Sequence, residues 1–239
     1  MIMSQLTIKT RIKPLGDSAL IVQLGEGICP EIHENVSNLT RLLEKHPFDG
    51  FVEAVPAYNS LTIYYNPHRV YLSHTNQALT PFQQVCTYIE KLSPLIGDKQ
   101  LSKNRIVELP VVYGGEFGPD LEYVAKSNDL SIEKVIQIHS KNEYLVYMIG
   151  FAPGFPFLGG MDERIATPRK ETPRLAIPSG SVGIAGKQTG VYPLETPGGW
   201  QIIGRTPLDL FLPDMSPPTL LEAGDKIRFV PVSAKELKI

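Results

Sequence analysis

Phe151-Ala152-Pro153-Gly154-Phe155-Pro156-Phe157-Leu158-Gly159-Gly160 opens a stretch, running to Thr206, in which proline or glycine recurs every few residues. No long helix survives such spacing, because proline removes a backbone donor and clashes with the preceding turn, and glycine is a poor helix former. Short strand-like pieces remain at Ser181–Ala185, Gly199–Gly204, Leu208–Leu212 and Lys226–Pro231. Short strands divided by Gly/Pro turns predict a closed or nearly closed β-barrel.

Working back from Phe151, Glu143–Ile149 reads as a strand. Ser131 caps a helix whose apolar stripe is Ile132, Val135, Ile136 and His139. Gly118-Pro119 opens a short helix, with Asp120 and Glu122 placed favourably against its dipole. Arg105–Val112 is a strand ending at the Gly114-Gly115 turn. Ile96 to Asn104 is polar and aperiodic, which suits a boundary. Before it the texture is α+β. Strands are expected at Thr7–Lys13, Ala19–Leu24, Phe51–Pro56 and Leu61–Tyr65. Helices are expected at Pro30–Lys45, with Ile32, Val36, Leu39 and Leu43 at helical spacing, and at Pro81–Leu92. The division is therefore an α+β domain over 1–96, a linker over 97–104 and an all-β barrel with short helices over 105–239.

The formal net charge of −2 argues against a sustained basic face for nucleic acid or membrane. No apolar run approaches the length of a membrane span. The opening residues alternate polar and apolar and do not read as a secretory signal. Cys29 and Cys86 stand far apart without metal-ligand spacing, so a reduced cytoplasmic setting is expected and no metal site. Asn38-Leu39-Thr40 is a glycosylation site only on paper.

Four features of the Gly/Pro-rich stretch bear on function. Three phenylalanines, Phe151, Phe155 and Phe157, sit in a stiff loop that either plugs a core or lines a pocket. The doubled triplet Thr167-Pro168-Arg169 and Thr172-Pro173-Arg174 presents two guanidinium groups on a restrained strip, suited to a carboxylate or phosphate. From Arg164 to Arg205 there are six basic residues against Glu171 and Glu195, so a plain solvated rim is the competing reading. The run Ile177–Gly190 invites comparison with a P-loop and fails it. Five residues separate Gly180 from Gly186, and Gln188 follows Lys187. Nor is it a nucleophile elbow, since Ser179 stands where glycine is needed before Ser181. Gln188, which can both donate and accept, is the candidate for substrate hydrogen bonding. Trp200, the single tryptophan, follows a Pro-Gly-Gly turn and belongs to a core or a pocket wall. His139 reads as structural from its helix stripe, and as acid or base only if its ring opens onto the loops.

The run Pro110–Leu121, with Phe151–Gly160 and Pro178–Trp200, closely resembles the KipI/PxpB family, and the resemblance covers nearly the whole chain. Members are called the B-type subunit of 5-oxoprolinase, sporulation kinase A inhibitor or allophanate hydrolase subunit 1. Related domains occur in the carboxyltransferase part of urea carboxylase. The resemblance implies that the barrel is cyclophilin-like. It also implies a KipA/PxpC-like partner and a LamB/YcsF-type, PxpA-like one, forming together an ATP-dependent 5-oxoprolinase that opens 5-oxoproline to glutamate. A pocket of His139, Phe155, Arg174, Ser179, Gln188 and Tyr192 is implied, to which the residues themselves add Arg169 and Trp200.

With no nucleotide motif in the chain, ATP is expected to act through the assembled complex, and the subunit is not expected to be active alone. The alternative is an inhibitory binding protein of a sporulation-type sensor histidine kinase, gripping a helical bundle with its stiff apolar loops. Prolyl isomerisation, suggested by the barrel alone, ranks last.

Overall fold

A proline at the first helical position and an apolar stripe at helical spacing make Pro30–Lys45 (α1) a helix with one buried face, carrying Val36, Leu39 and Leu43. The computed structural model describes residues 11–73, 78–96 and 105–237. The chain divides into two compact units, Met1–Lys103 and Asn104–Ile239. The expected linker, 97–104, and the first residues of the expected Thr7–Lys13 strand lie outside the described residues.

In the first unit, β1 (Ile12–Pro14), β2 (Ala19–Gln23), β3 (Phe51–Pro56) and β4 (Ser60–Tyr65) form an antiparallel sheet in the order β1-β2-β4-β3. Alternation sends Leu20 and Val22 of β2, and Leu61, Ile63 and Tyr65 of β4, into a core with α1 and α3 (Pro81–Leu92). Thr80 and Gln83 close a capping box at the start of α3. Helix α2 (Pro67–Ser73) is unforeseen by periodicity because it buries only Val70. Its start signal is present all the same: the Asn66 side chain accepts from the Arg69 N–H, just ahead of Pro67. Asn38 is buried and donates to the Ile96 carbonyl, so it is a core residue.

The second unit contains β5 (Ile106–Tyr113), α4 (Leu121–Ser127), α5 (Ile132–Lys141), β6 (Glu143–Ile149), β7 (Pro156–Gly159), β8 (Arg174–Ile177) and β9 (Ser181–Ala185). It continues with β10 (Gln188–Val191), β11 (Thr196–Gly198), β12 (Gln201–Arg205), β13 (Lys226–Pro231) and α6 (Ala234–Leu237). Seven of these strands form one sheet, ordered β10-β9-β12-β5-β13-β6-β7. Only the β5–β13 pair is parallel. The end strands approach each other closely: a Cβ on Gly190 of β10 would lie 3.4 Å from the Pro156 carbonyl oxygen of β7. The sheet is thus nearly closed, and Leu109, Val111, Tyr144, Val146, Val182, Ile184, Ile227 and Phe229 are buried in its core. Strands β8 and β11 pair separately as a two-stranded ribbon.

Two readings of this unit need correction. Leu208–Leu212 forms no strand; only Phe211 bridges to Thr219. Pro207 and Pro213 bracket that segment and supply no N–H to a ladder. Helix α4 starts at Leu121, so Pro119 lies outside it, and the Asp120 carboxylate makes no cap. It is drawn away by stronger partners described below. Among the described residues no helix is long and apolar enough to cross a membrane.

Close backbone approach is a requirement at Gly118. An added Cβ there would lie 2.1 Å from the Ile203 carbonyl oxygen and 2.6 Å from the Gly114 nitrogen. Gly118→Ala is expected to destabilise the protein by about 3 kcal/mol, because backbone on both sides must shift. Gly115→Ala, with open space but φ +54°, is expected to cost about 1 kcal/mol. Urea unfolding of both variants checks the ordering, and equal losses would contradict it.

Candidate functional site

The Gly150–Phe155 loop is tied by its own backbone. The Gly150 N–H donates to the Phe155 carbonyl at 3.0 Å, and the Phe155 N–H to that of Ala152 at 3.0 Å. Gly154 is at φ +83°, where a Cβ would also press on the Leu210 carbonyl oxygen at 3.0 Å. Phe151 is left-handed at φ +68° and 72% exposed. A non-glycine residue in that conformation stores about 1–3 kcal/mol of strain, of the kind found at ligand sites. Phe155 lies buried at the centre of an edge-to-face cluster, with ring centroids 5.2 Å from Phe157, 5.6 Å from Tyr192 and 5.7 Å from Trp200.

These rings wall a cleft of ≈ 470 Å³, completed by Arg169, Pro173 and the Pro197-Gly198-Gly199 turn. That volume falls in the range of small-molecule sites. The Arg169 guanidinium carbon sits 6.0 Å from the Trp200 ring centroid, a cation–π arrangement. Burial pushes the Tyr192 phenol up to about 12, against the opposing pull of Arg169, the Trp200 backbone N–H and Arg174. The phenol therefore stays protonated at neutral pH and is a hydrogen-bond donor.

Beside the cleft lies a buried ion cluster. The Asp120 carboxylate accepts two bonds from Arg174, at 2.7 and 2.8 Å, and one from Lys170 at 3.2 Å. It also accepts the Ile202 N–H at 2.7 Å. Burial alone would raise the Asp120 pKa, but the Arg174, Ile202 and Lys170 contacts together outweigh it and hold it below the usual carboxylate range.

The six basic residues of the stretch sort themselves by partner. Arg164 pairs with Asp162 and Lys187 with Glu163, while Lys170 and Arg174 share Asp120. Arg205 donates its Nε to the Ser179 carbonyl. Among the described residues Arg169 has no acidic partner, and its charge is spent on the indole face and the cleft.

Of the residues expected from the sequence, the structure brings Phe155, Arg169, Tyr192 and Trp200 together, with Arg174 adjoining through Asp120. It places three elsewhere. Ser179 donates to the Pro193 carbonyl and faces a separate pocket with Arg205 and Thr206. Gln188 begins β10 opposite Ala185 and is not part of the cleft wall. His139 is wholly buried in the barrel core, stacked on Phe229 at 4.4 Å. The Thr189 hydroxyl donates to the Gly183 carbonyl, so it accepts from His139 Nε2–H at 2.9 Å. Nδ1 then accepts from the Tyr113 hydroxyl at 2.8 Å. Burial lowers the His139 pKa to about 3.

Sequence reasoning missed Asp120, read as a helix residue, and the role of Lys170. Their partners lie about fifty residues apart, beyond any local pattern. The run compared with a P-loop forms the β9–β10 hairpin. Every residue of β9 is buried, and Lys187 is paired with Glu163. That geometry offers phosphates no cradle.

Fold and cleft define a mostly β, barrel-like protein with a cleft of small-molecule size walled by aromatic rings and one arginine. The family described as carboxyltransferase domain, subdomain C and D, matches residues 10–221, and the chain belongs to it. It is 54% identical to the B-type subunit of 5-oxoprolinase from Bacillus subtilis, over 97% of this chain and 96% of that protein. It is 42% identical to the B-type 5-oxoprolinase subunit of Escherichia coli O157:H7, over 93% and 96%. Among solved structures, TTHA0988 aligns with a TM-score of 0.76 and 35% identity over 90% of this chain. This chain spans 40% of that longer one.

The state of His139 has a measurable consequence. Its folded pKa of about 3 lies below the ordinary 6.5, so between these values the unfolded chain binds a proton that the folded one does not. Stability from this group is full above about pH 6.5 and falls as pH drops, with roughly 1.4 kcal/mol lost by pH 5.5. By NMR, the His139 ring is expected not to titrate between about pH 5 and 8. A midpoint near 6.5 would contradict the buried, neutral assignment.

Proposed function

We propose that this chain is a subunit of an ATP-dependent 5-oxoprolinase, converting 5-oxo-L-proline to L-glutamate with a KipA/PxpC-like subunit and a LamB/YcsF-type one. The site lies in the unit from Asn104 to Ile239, a cyclophilin-like barrel. The observation that carries the reading is Arg169 poised over Trp200 in the aromatic cleft. 5-Oxoproline is a flat lactam ring bearing a carboxylate. The rings of Phe151, Phe157 and Trp200 suit the first, and the guanidinium of Arg169 suits the second.

Tyr192 replaces Gln188 as the donor to the lactam carbonyl, since it lines the cleft and keeps its proton. The β9–β10 hairpin, with β9 wholly buried and Lys187 paired to Glu163, offers phosphates no cradle. In this reading ATP use belongs to the partner subunits, and this subunit is not expected to be active alone. The curated relatives that match over nearly their whole length carry the enzyme-subunit name. The kinase-inhibitor alternative is for that reason not favoured.

Assembling the chain with its two partner subunits, ATP and 5-oxoproline is expected to yield glutamate. A soluble, assembled complex that yields none would sink the proposal. In that complex Arg169→Ala is expected to raise KM about tenfold or more, the loss of one charge-assisted contact, while kcat changes less. An unchanged KM would remove Arg169 from the site.

A further inference from the structure

Arg169 and Trp200 stand on segments with little secondary structure of their own. Pro168–Pro173 belongs to no strand, and Gly199-Trp200 lies between β11 and β12. Their meeting depends on tethers across the seam between these segments. Two are neutral: the Lys170 N–H donates to the Gly199 carbonyl at 2.7 Å, and the Gln201 side chain to the Pro168 carbonyl at 2.9 Å. The third is ionic and comes from a distant part of the chain. Asp120 holds Lys170, the residue after Arg169, and Ile202, two residues beyond Trp200. Its own N–H donates in turn to the Ile202 carbonyl at 2.9 Å.

We infer that Asp120 is the positioning residue of the cleft. Through Lys170 on one side and Ile202 on the other it fixes both halves of the Arg169–Trp200 contact, and by engaging Lys170 and Arg174 it leaves Arg169 to meet the ligand's anion. The Asp120 side chain is only 7% exposed, and a buried charge is tolerable only when its lone pairs are filled. Here four contacts fill them, and their partners flank cleft residues in the chain: Lys170 follows Arg169, Arg174 follows Pro173, and Ile202 lies two beyond Trp200. A capping residue would need none of this, and Asp120 makes no cap. Asp120 itself is not part of the cleft wall, so its effect on ligand runs through the residues it holds.

This inference rests on the proposed 5-oxoproline site for its kinetic readout, but not for its structural one. Trp200 is the only tryptophan in the chain, so its fluorescence reports the clamp directly, with or without turnover. In Asp120→Asn, Trp200 emission is expected to shift to the red and acrylamide quenching to rise about twofold, as the ring loosens from its seam. In the assembled enzyme, KM for 5-oxoproline is expected to rise about tenfold with kcat within about twofold, and Asp120→Glu to recover part of the loss.

A folded Asp120→Asn protein with unchanged Trp200 emission and quenching overturns the inference. So does one in which kcat falls and KM stays fixed. Should Asp120→Asn fail to fold, Lys170→Met decides, because it cuts one tether and leaves the Arg174 pair intact. A rise in Trp200 quenching supports the role of Asp120, and no change overturns it. If the assembled complex makes no glutamate at all, the proposed function fails while the fluorescence result still stands or falls by itself.

Discussion

A carboxylate taken out of water must recover its solvation from the protein, and Asp120 recovers it from three parts of the second unit at once. Arg174 opens β8, Lys170 lies on the strip before it, and Ile202 belongs to β12. Removing the carboxylate leaves Lys170 and Arg174 without their partner, but their side chains are 31% and 28% exposed, so the cost falls below the ~3–5 kcal/mol of a fully buried pair. The cluster thereby works against alternative placements of the ribbon formed by β8 and β11. A purely apolar seam would allow sliding. A bidentate guanidinium and a backbone N–H on the same carboxylate specify one arrangement.

The barrel supplies the surface on which this arrangement is laid out. It closes because several backbone pairs approach closer than a side chain permits. At Gly180, with φ +80°, a Cβ would be 2.1 Å from the Thr206 carbonyl oxygen; at Gly204 it would be 2.8 Å from that of Val112. The glycines of the Ile177–Gly190 run thus serve sheet geometry, and their resemblance to a phosphate loop is compositional only. What the sheet does not cover becomes the cleft. Phe155, Ile177, Tyr192, Trp200 and Ile202 form a smaller core of their own, apart from the barrel's main one.

Much of the fold was legible in the sequence wherever one element carries a full period of pattern. The stripe Ile32, Val36, Leu39 and Leu43 gives α1, and Glu143–Ile149 and Lys226–Pro231 coincide with β6 and β13. Strands β7, β8, β10 and β11 are three or four residues long, too short for alternation to register, and two of them contain proline. Of the residues that wall the cleft, Phe155, Arg169 and Trp200 are marked in the sequence by local stiffness. Ser179, Gln188 and His139 were drawn from motif or likeness, and side-chain direction sent them elsewhere. Asp120 was visible only as an acid near a helix start, since its meaning lies in partners some fifty and eighty residues away.

His139 and Arg169 show how burial divides chemistry between two places in one unit. His139 has both ring nitrogens engaged and no exposed surface, so it stabilises the barrel as a neutral polar pin. It stacks on Phe229 and gives its donor to a threonine that is itself bonded onward. Arg169 is exposed at the cleft's margin, its guanidinium carbon 6.0 Å from the Trp200 ring centroid, where an anion entering the cleft can reach it. Under the proposed function the cleft suits a charged, flat ligand, and its wall is made of aromatic rings, prolines, glycines and one arginine. Its rings, one guanidinium and one phenol are suited to orienting and polarising such a ligand. In the proposed reading the proton acceptor comes from a partner subunit, and an aromatic half-site with one arginine suits a subunit that works in company.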